Sequence, residues 1–140
     1  VARGPIRDIY FGFTLDTFLA RIDFDQPARA ALRPFEVLRI GFAEPASAEL
    51  RIYQPGTPLQ NWKWYVNGAP VDARDRIQVG VDRIAECSID FDLIGVKRNE
   101  PIQFFVELLE NQQSRDRAPR EGYIACARPT PEFENNMWDV

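Results

Sequence analysis

Histidine is absent from the chain. Its absence removes Ser-His-Asp and Cys-His nucleophile pairs, and every zinc site that needs imidazole. It also removes the side chain that titrates most readily near neutrality. Only two cysteines occur, Cys87 and Cys126, which is too few for a disulfide framework in 140 residues. Both sit in strand-like apolar contexts, which favour small buried thiols over a cross-linked pair. No apolar run approaches the ~20 residues that span a bilayer. The first residues, Val1-Ala2-Arg3-Gly4-Pro5, lack an apolar h-region, and without an initiator Met the chain is expected to begin inside a longer gene product. There is no Gly-rich phosphate loop and no RNA-binding aromatic signature in a basic setting. The seventeen Lys and Arg are scattered among twenty-one acids, for a net charge of -4, which argues against a nucleic-acid surface.

What is present points to a β protein. At 45% hydrophobic and 12% aromatic residues, the chain is too apolar to stay disordered. Its length suits one domain, residues 1–140, able to remove roughly two-thirds of its unfolded surface from water. The dominant period is two. Ile9, Phe11 and Phe13 share a face, and Phe18, Ala20, Ile22 and Phe24 alternate with Leu19, Arg21 and Asp23. The same alternation runs through Leu38-Ile40-Phe42, Leu50-Ile52, Trp62-Trp64-Val66 and Ile77-Val79-Val81. It returns in Ala85-Cys87-Ile89-Phe91 and in Ile102-Phe104-Val106-Leu108, and Tyr123 to Cys126 offers a short final strand.

Turn residues punctuate these runs: residues 14–17, Pro45-Ala46-Ser47, Pro55-Gly56-Thr57-Pro58 and Asn67-Gly68, the last a tight-turn pair tolerant of positive φ. Gly12, Gly41 and Gly80 stand alone inside strands and predict bulges or close packing. One helical turn or two is expected within Asp25 to Arg33, ending at Pro34, and the polar stretch Gln112 to Arg117 reads as a loop. Eight or nine strands with at most one short helix predict an all-β, two-sheet antiparallel sandwich of jelly-roll or immunoglobulin-like type. A closed barrel is the alternative.

The chemistry open to such a chain is carboxylate chemistry. Asp23 and Asp25 share one strand face, as do Asp90 and Asp92, with i and i+2 about 6.5 Å apart. A glycosidase pair needs about 5–5.5 or 6.5–9.5 Å, but any solvated strand edge shows this spacing. The same acids could bind calcium, which takes about six to eight oxygens from several loops, but no dedicated calcium loop is present. Asn61-Trp62-Lys63-Trp64-Tyr65 is the most conspicuous local feature. Trp62, Trp64 and Tyr65 supply flat rings on which a sugar could stack. Alternation offers the competing reading, with Trp62 and Trp64 in the core and Lys63 and Tyr65 outside.

Several segments together resemble one family. Ile9 to Phe13 followed by Phe18 to Phe24 resembles the opening hairpin of the β-sandwich at the C-terminus of many family 57 glycoside hydrolases. These are the α-amylase/α-mannosidase-like enzymes, and the sandwich is akin to family 9 carbohydrate-binding modules and DOMON-like domains. Ala85 to Val96 is similar to that group's E-x-x-I-P-x-x-x-L-G strand and turn, with Asp90 in place of the usual proline. Ile102 to Leu108 resembles the strand that follows, and Arg117 to Ile124 its R-x-P-x-x-G-x-I loop. Phe133-Glu134 and Met137-Trp138-Asp139-Val140 resemble its terminal Trp-x-Val. Residues 26–80, which include Trp62 and Trp64, match least, so the resemblance lends those rings no sugar-binding role. It implies a C-terminal fragment of a larger glycoside hydrolase, whose catalytic carboxylates lie on an upstream barrel and none of them here. The fragment itself is then expected to be a non-catalytic accessory domain without a cofactor. Its partner is expected to be a glycan or, in the alternative, the parent catalytic domain on which it docks without binding a ligand. Haem-binding relatives would need an axial ligand, for which only Met137 offers itself.

Overall fold

The computed structural model describes residues 4–132. The alternating runs become strands β1 (Ile6–Phe13), β2 (Thr17–Phe24), β3 (Val37–Glu44), β4 (Ala48–Tyr53), β5 (Asn61–Val66) and β6 (Ala69–Val71). They continue as β7 (Ile77–Val81), β8 (Ala85–Asp90), β9 (Pro101–Glu110), β10 (Gln113–Ala118) and β11 (Ile124–Ala127). Two four-residue helices, α1 (Ala28–Ala31) and α2 (Phe91–Ile94), interrupt them. The strands form an antiparallel sandwich. The smaller sheet has the order β1-β2-β8-β7, and the larger runs β10-β9-β3-β4-β5-β6 with β11 also on β9. β10 and β11 share one edge of β9, pairing with residues 106–110 and 101–104 respectively.

Three local expectations change. The polar segment read as a loop is strand β10. It lies at an edge, where one ladder of hydrogen bonds suffices and no apolar row is needed to hold it. Phe91 and Asp92 leave the strand for α2, whose end is closed by Gly95 at φ 82°. Asp90 and Asp92 therefore do not share a strand face. Close packing is found at only one of the three strand glycines. A Cβ on Gly41 would lie 2.5 Å from the Phe105 ring, whereas at Gly12 it meets nothing within 4 Å and at Gly80 nothing nearer than 3.8 Å. The bulges fall elsewhere, near Ile6, Phe42 and Ser114. Asn67 and Gly68, at φ 50° and 80°, make the tight turn from β5 to β6.

The inward rows of both sheets meet in one core. Phe18 of β2 is fully buried and packs edge-on against Phe42 at 5.5 Å and Phe104 at 5.0 Å, joining the two sheets. Trp64 extends this cluster from Phe42. Its indole N–H has no acceptor among the described residues, so packing alone holds the ring. One flank of the sandwich is tied by the Ile6 backbone N–H, which donates to Asp116 across the sheets at 2.9 Å. At one end Arg128 lies over Phe91 and donates to the Val96 carbonyl at 2.8 Å, fastening the exit of β11 to α2.

Cys87 in β8 and Cys126 in β11 belong to different sheets and are both free. Burial pushes the Cys87 thiol up to about 12 and Cys126 up to about 11, so both are protonated and unreactive at neutral pH. No helix of the described residues is long and apolar enough to cross a membrane. Replacing Phe18 with Ala is expected to cost about 3–5 kcal/mol of stability, because it opens a cavity between the sheets. Leu19→Ala, one position along and facing outward, is expected to stay within about 0.5 kcal/mol. Urea unfolding followed by tryptophan fluorescence checks both values.

Candidate functional site

The parity that fills the core also decides what faces out. On β5, Trp62, Trp64 and Val66 turn inward, while Asn61, Lys63 and Tyr65 lie on the outer face. The three aromatic residues singled out for sugar stacking therefore do not share a surface. Trp64 is 1% exposed and cannot meet a ligand, which makes the core reading the right one for it. Trp62 is partly buried against the core, and its free edge borders a shallow dip beside the exposed Asp72–Arg74 ion pair. Only Tyr65 reaches the outer face of the larger sheet.

Register organises that face into rows across the strands. One row runs Lys63, Arg51, Arg39, Glu107, Arg117 over β5, β4, β3, β9 and β10. The next runs Tyr65, Glu49, Gly41, Phe105. A third runs Asn61, Tyr53, Val37, Leu109. Tyr53 and Tyr65 belong to outer rows separated by four residues of strand, or about 13 Å, yet their hydroxyls meet at 2.8 Å. Both side chains must therefore lean along the strands towards each other, across the Lys63–Arg51 row. Burial, then the hydrogen bond with Tyr65, pushes the Tyr53 hydroxyl up to about 12, so the pair stays neutral and joined.

Acids on neighbouring strands knit the cations together. Arg51 Nε donates to Glu49 at 2.6 Å, Arg39 bonds the other Glu49 oxygen, and Arg39 Nη1 donates to Glu107 at 2.9 Å. Glu49 and Glu107 are only 15% and 13% exposed, so these contacts are screened less than ordinary surface pairs. Burial alone would raise the Glu49 carboxyl, but hydrogen bonds from Arg51 and Arg39 outweigh it and hold the group below its usual range. Beyond this chain, Phe105 lies flat in the gap left by Gly41, with the Arg39 and Arg117 guanidiniums over its ring at 5.0 and 4.4 Å. Arg117 also donates to the Pro119 and Gly122 carbonyls and so shapes the loop that leads to β11.

Beside Tyr53 lies a depression of about 740 Å3. Val37, Leu109 and Tyr53 give it apolar lining, and Glu36, Gln54, Asn61 and Gln112 surround these with hydrogen-bonding groups. Arg51 and Lys63 complete it on the side of the cationic row. Volume, an apolar base and convergent polar groups are the attributes of a small-molecule site. The side chains of Gln54, Gln112 and Lys63 make no hydrogen bond or ion pair with any described residue, so they are free for a ligand. The opposite face, on the smaller sheet, carries a shallower groove of about 500 Å3 between Tyr10, Leu19 and Gln78. There Arg21 is committed, bidentate to Asp23 at 2.8 and 3.0 Å and stacked 5.3 Å from the Tyr10 ring centre.

The carboxylates weighed for catalysis or calcium are engaged by arginines: Asp23 by Arg21, Asp25 by Arg7, Asp90 by Arg76 and Asp92 by Arg128. Among the described residues no group of three or more acids, cysteines or histidines is placed to hold a metal ion. Phe133 to Val140, with Met137 and Trp138, lie outside the described residues.

The alternation in Ala48 to Tyr53 could have flagged Arg51 and Tyr53 as outward, since they flank Ile52. Nothing in the sequence could have told which strand brings Tyr53 to Tyr65. No protein-family model, curated protein or solved structure matches this chain.

The acid-base ladder makes stability depend on pH. The depressed Glu49 carboxyl stabilises the fold above its ordinary value of 4.5, and that contribution is lost as pH falls through the lowered folded-state value. Glu49→Gln is expected to cost about 1–3 kcal/mol at pH 7. The gap between variant and parent is expected to close in strong acid, as read from urea midpoints at a series of pH values.

Proposed function

We propose that this chain is a non-catalytic accessory domain of a glycoside hydrolase and that it binds glycan on the outer face of its larger sheet. The depression beside Tyr53 carries the reading, because it combines an apolar base with Gln54, Gln112 and Lys63, whose side chains have no partner among the described residues. A sugar ring presents C–H groups to an apolar surface and hydroxyls around its rim, and this arrangement can meet both at once. The ordered family-like segments from Ile9 to Ile124 support placing the domain beside a family 57 catalytic barrel. The paired acids are bound to arginines, which favours assigning the chemistry of bond cleavage to that other domain.

One observation favours a second reading. Tyr10 and Leu19 are 53% and 38% exposed on the outer face of β1 and β2, an apolar surface suited to docking on the parent catalytic domain. The two readings occupy opposite sides of the sandwich and can be separated by mutation. Calorimetric titration with a panel of soluble neutral and acidic oligosaccharides is expected to give millimolar or tighter binding by at least one member. Tyr53→Ala is expected to weaken it about tenfold, the equivalent of about 1.4 kcal/mol, and Tyr10→Ala to leave it unchanged. No heat from any member at millimolar sugar removes the glycan reading and leaves the docking one.

A further inference from the structure

The outer row of the larger sheet contains an arrangement that stability does not account for. Lys63, Arg51 and Arg39 stand directly opposite one another on β5, β4 and β3, three cations in consecutive register. Like charges placed directly across strands destabilise a sheet. Glu49 and Glu107 offset Arg51 and Arg39, and Arg117 at the other end of the row is taken up by the Pro119 and Gly122 carbonyls. Lys63 is left over. It is exposed, ion-paired to no described residue, and it borders the 740 Å3 depression beside Arg51. At the far side of the same depression the Glu36 carboxylate accepts the Asn111 backbone N–H, so the site is cationic at one end and acidic at the other. In a chain of net charge -4, a cation kept beside other cations at the mouth of a cavity marks a position for an external anion.

We infer that the glycan taken by this face is acidic, with an anionic group on a sugar unit held by Lys63 and the outer side of Arg51. The inference rests on the glycan reading above and narrows it. Asn61, Gln54 and Gln112 are within the same depression and meet the neutral hydroxyls of that unit or its neighbour. The tyrosine hydroxyl pair joins β4 to β5 and adds a neutral acceptor and donor beside the anion. Carboxylate and sulfate ester share this chemistry, and both suit an ammonium beside a guanidinium.

The test compares one backbone with its charge present and absent. Trigalacturonate, its methyl ester and a sulfated neutral trisaccharide are titrated into the protein by calorimetry, at low and at high salt. Trigalacturonate is expected to bind about tenfold more tightly than its ester, as one charge-assisted hydrogen bond supplies. The preference is expected to shrink at high salt and to vanish in Lys63→Gln, an exposed position where the fold is not at stake. Lys63→Arg is expected to retain it. The sulfated sugar decides the source of charge: binding equal to trigalacturonate means any sugar anion serves, and no binding restricts the site to carboxylate. Equal affinity for acid and ester, or a Lys63→Gln variant with unchanged preference, overturns the inference while the glycan reading stands. Silence from all three sugars and from neutral oligosaccharides overturns both.

Discussion

The seating of Phe18 between Phe42 and Phe104 is the contact on which the sandwich depends. It joins β2 of one sheet to β3 and β9 of the other, through rings that are buried to within 3%. Because side chains alternate along a strand, fixing Phe18, Phe42 and Phe104 inward fixes every neighbour in the same strands. Leu19 and Arg21 must then face out from the smaller sheet, and Arg39, Phe105 and Glu107 from the larger. A one-residue slip of β3 would place Arg39 in the core, where an unpaired charge is costly enough to forbid it. The register of the functional face is thus inherited from the core.

That dependence explains what could be read in advance. The inward set was legible from period two alone, and the structure keeps Ile40, Leu50, Trp64, Ile89 and Val106 in the core. The tight turn at Asn67-Gly68 was legible from its chemistry, and α1 from its composition. β10 was not, because an edge strand stabilised by hydrogen bonds to β9 carries no apolar signature. The switch from strand to helix at Phe91 was missed for a related reason. Phe91 stays buried and keeps the parity of Ile89, and only the backbone changes direction.

The candidate site was less legible than the fold, and the cause is specific. Trp62 and Trp64 drew attention by aromatic content, but content says nothing about which side of a strand a ring occupies. The residues that line the depression come from β3, β4, β5 and β9 and from the turns next to them, and only strand order brings them together. Val37 and Leu109 are apolar residues on the wrong parity for the core, a mismatch that local alternation treats as noise. In the folded protein they lie directly opposite each other, and the mismatch becomes the base of a cavity.

A sheet face can be stable and still hold back some of its groups. On the larger sheet, the pairs Arg51–Glu49 and Arg39–Glu107 are internally satisfied, and Phe105 fills the space above Gly41. These elements are partly buried and bonded to one another, and Arg51 lies against the Tyr65 ring of the tyrosine pair. Lys63, Gln54 and Gln112 are different: each lies at the margin of that surface with no side-chain partner among the described residues. Such groups break none of the protein's own bonds when they turn to a ligand, and what binding costs them is the ordering of their side chains. The smaller sheet shows the opposite balance, since its Arg21 is already spent on Asp23 and what its outer face exposes is Tyr10 and Leu19. Under the proposed reading the sandwich therefore has a polar face that can capture and an apolar face that can be covered, and occupying one leaves the other free.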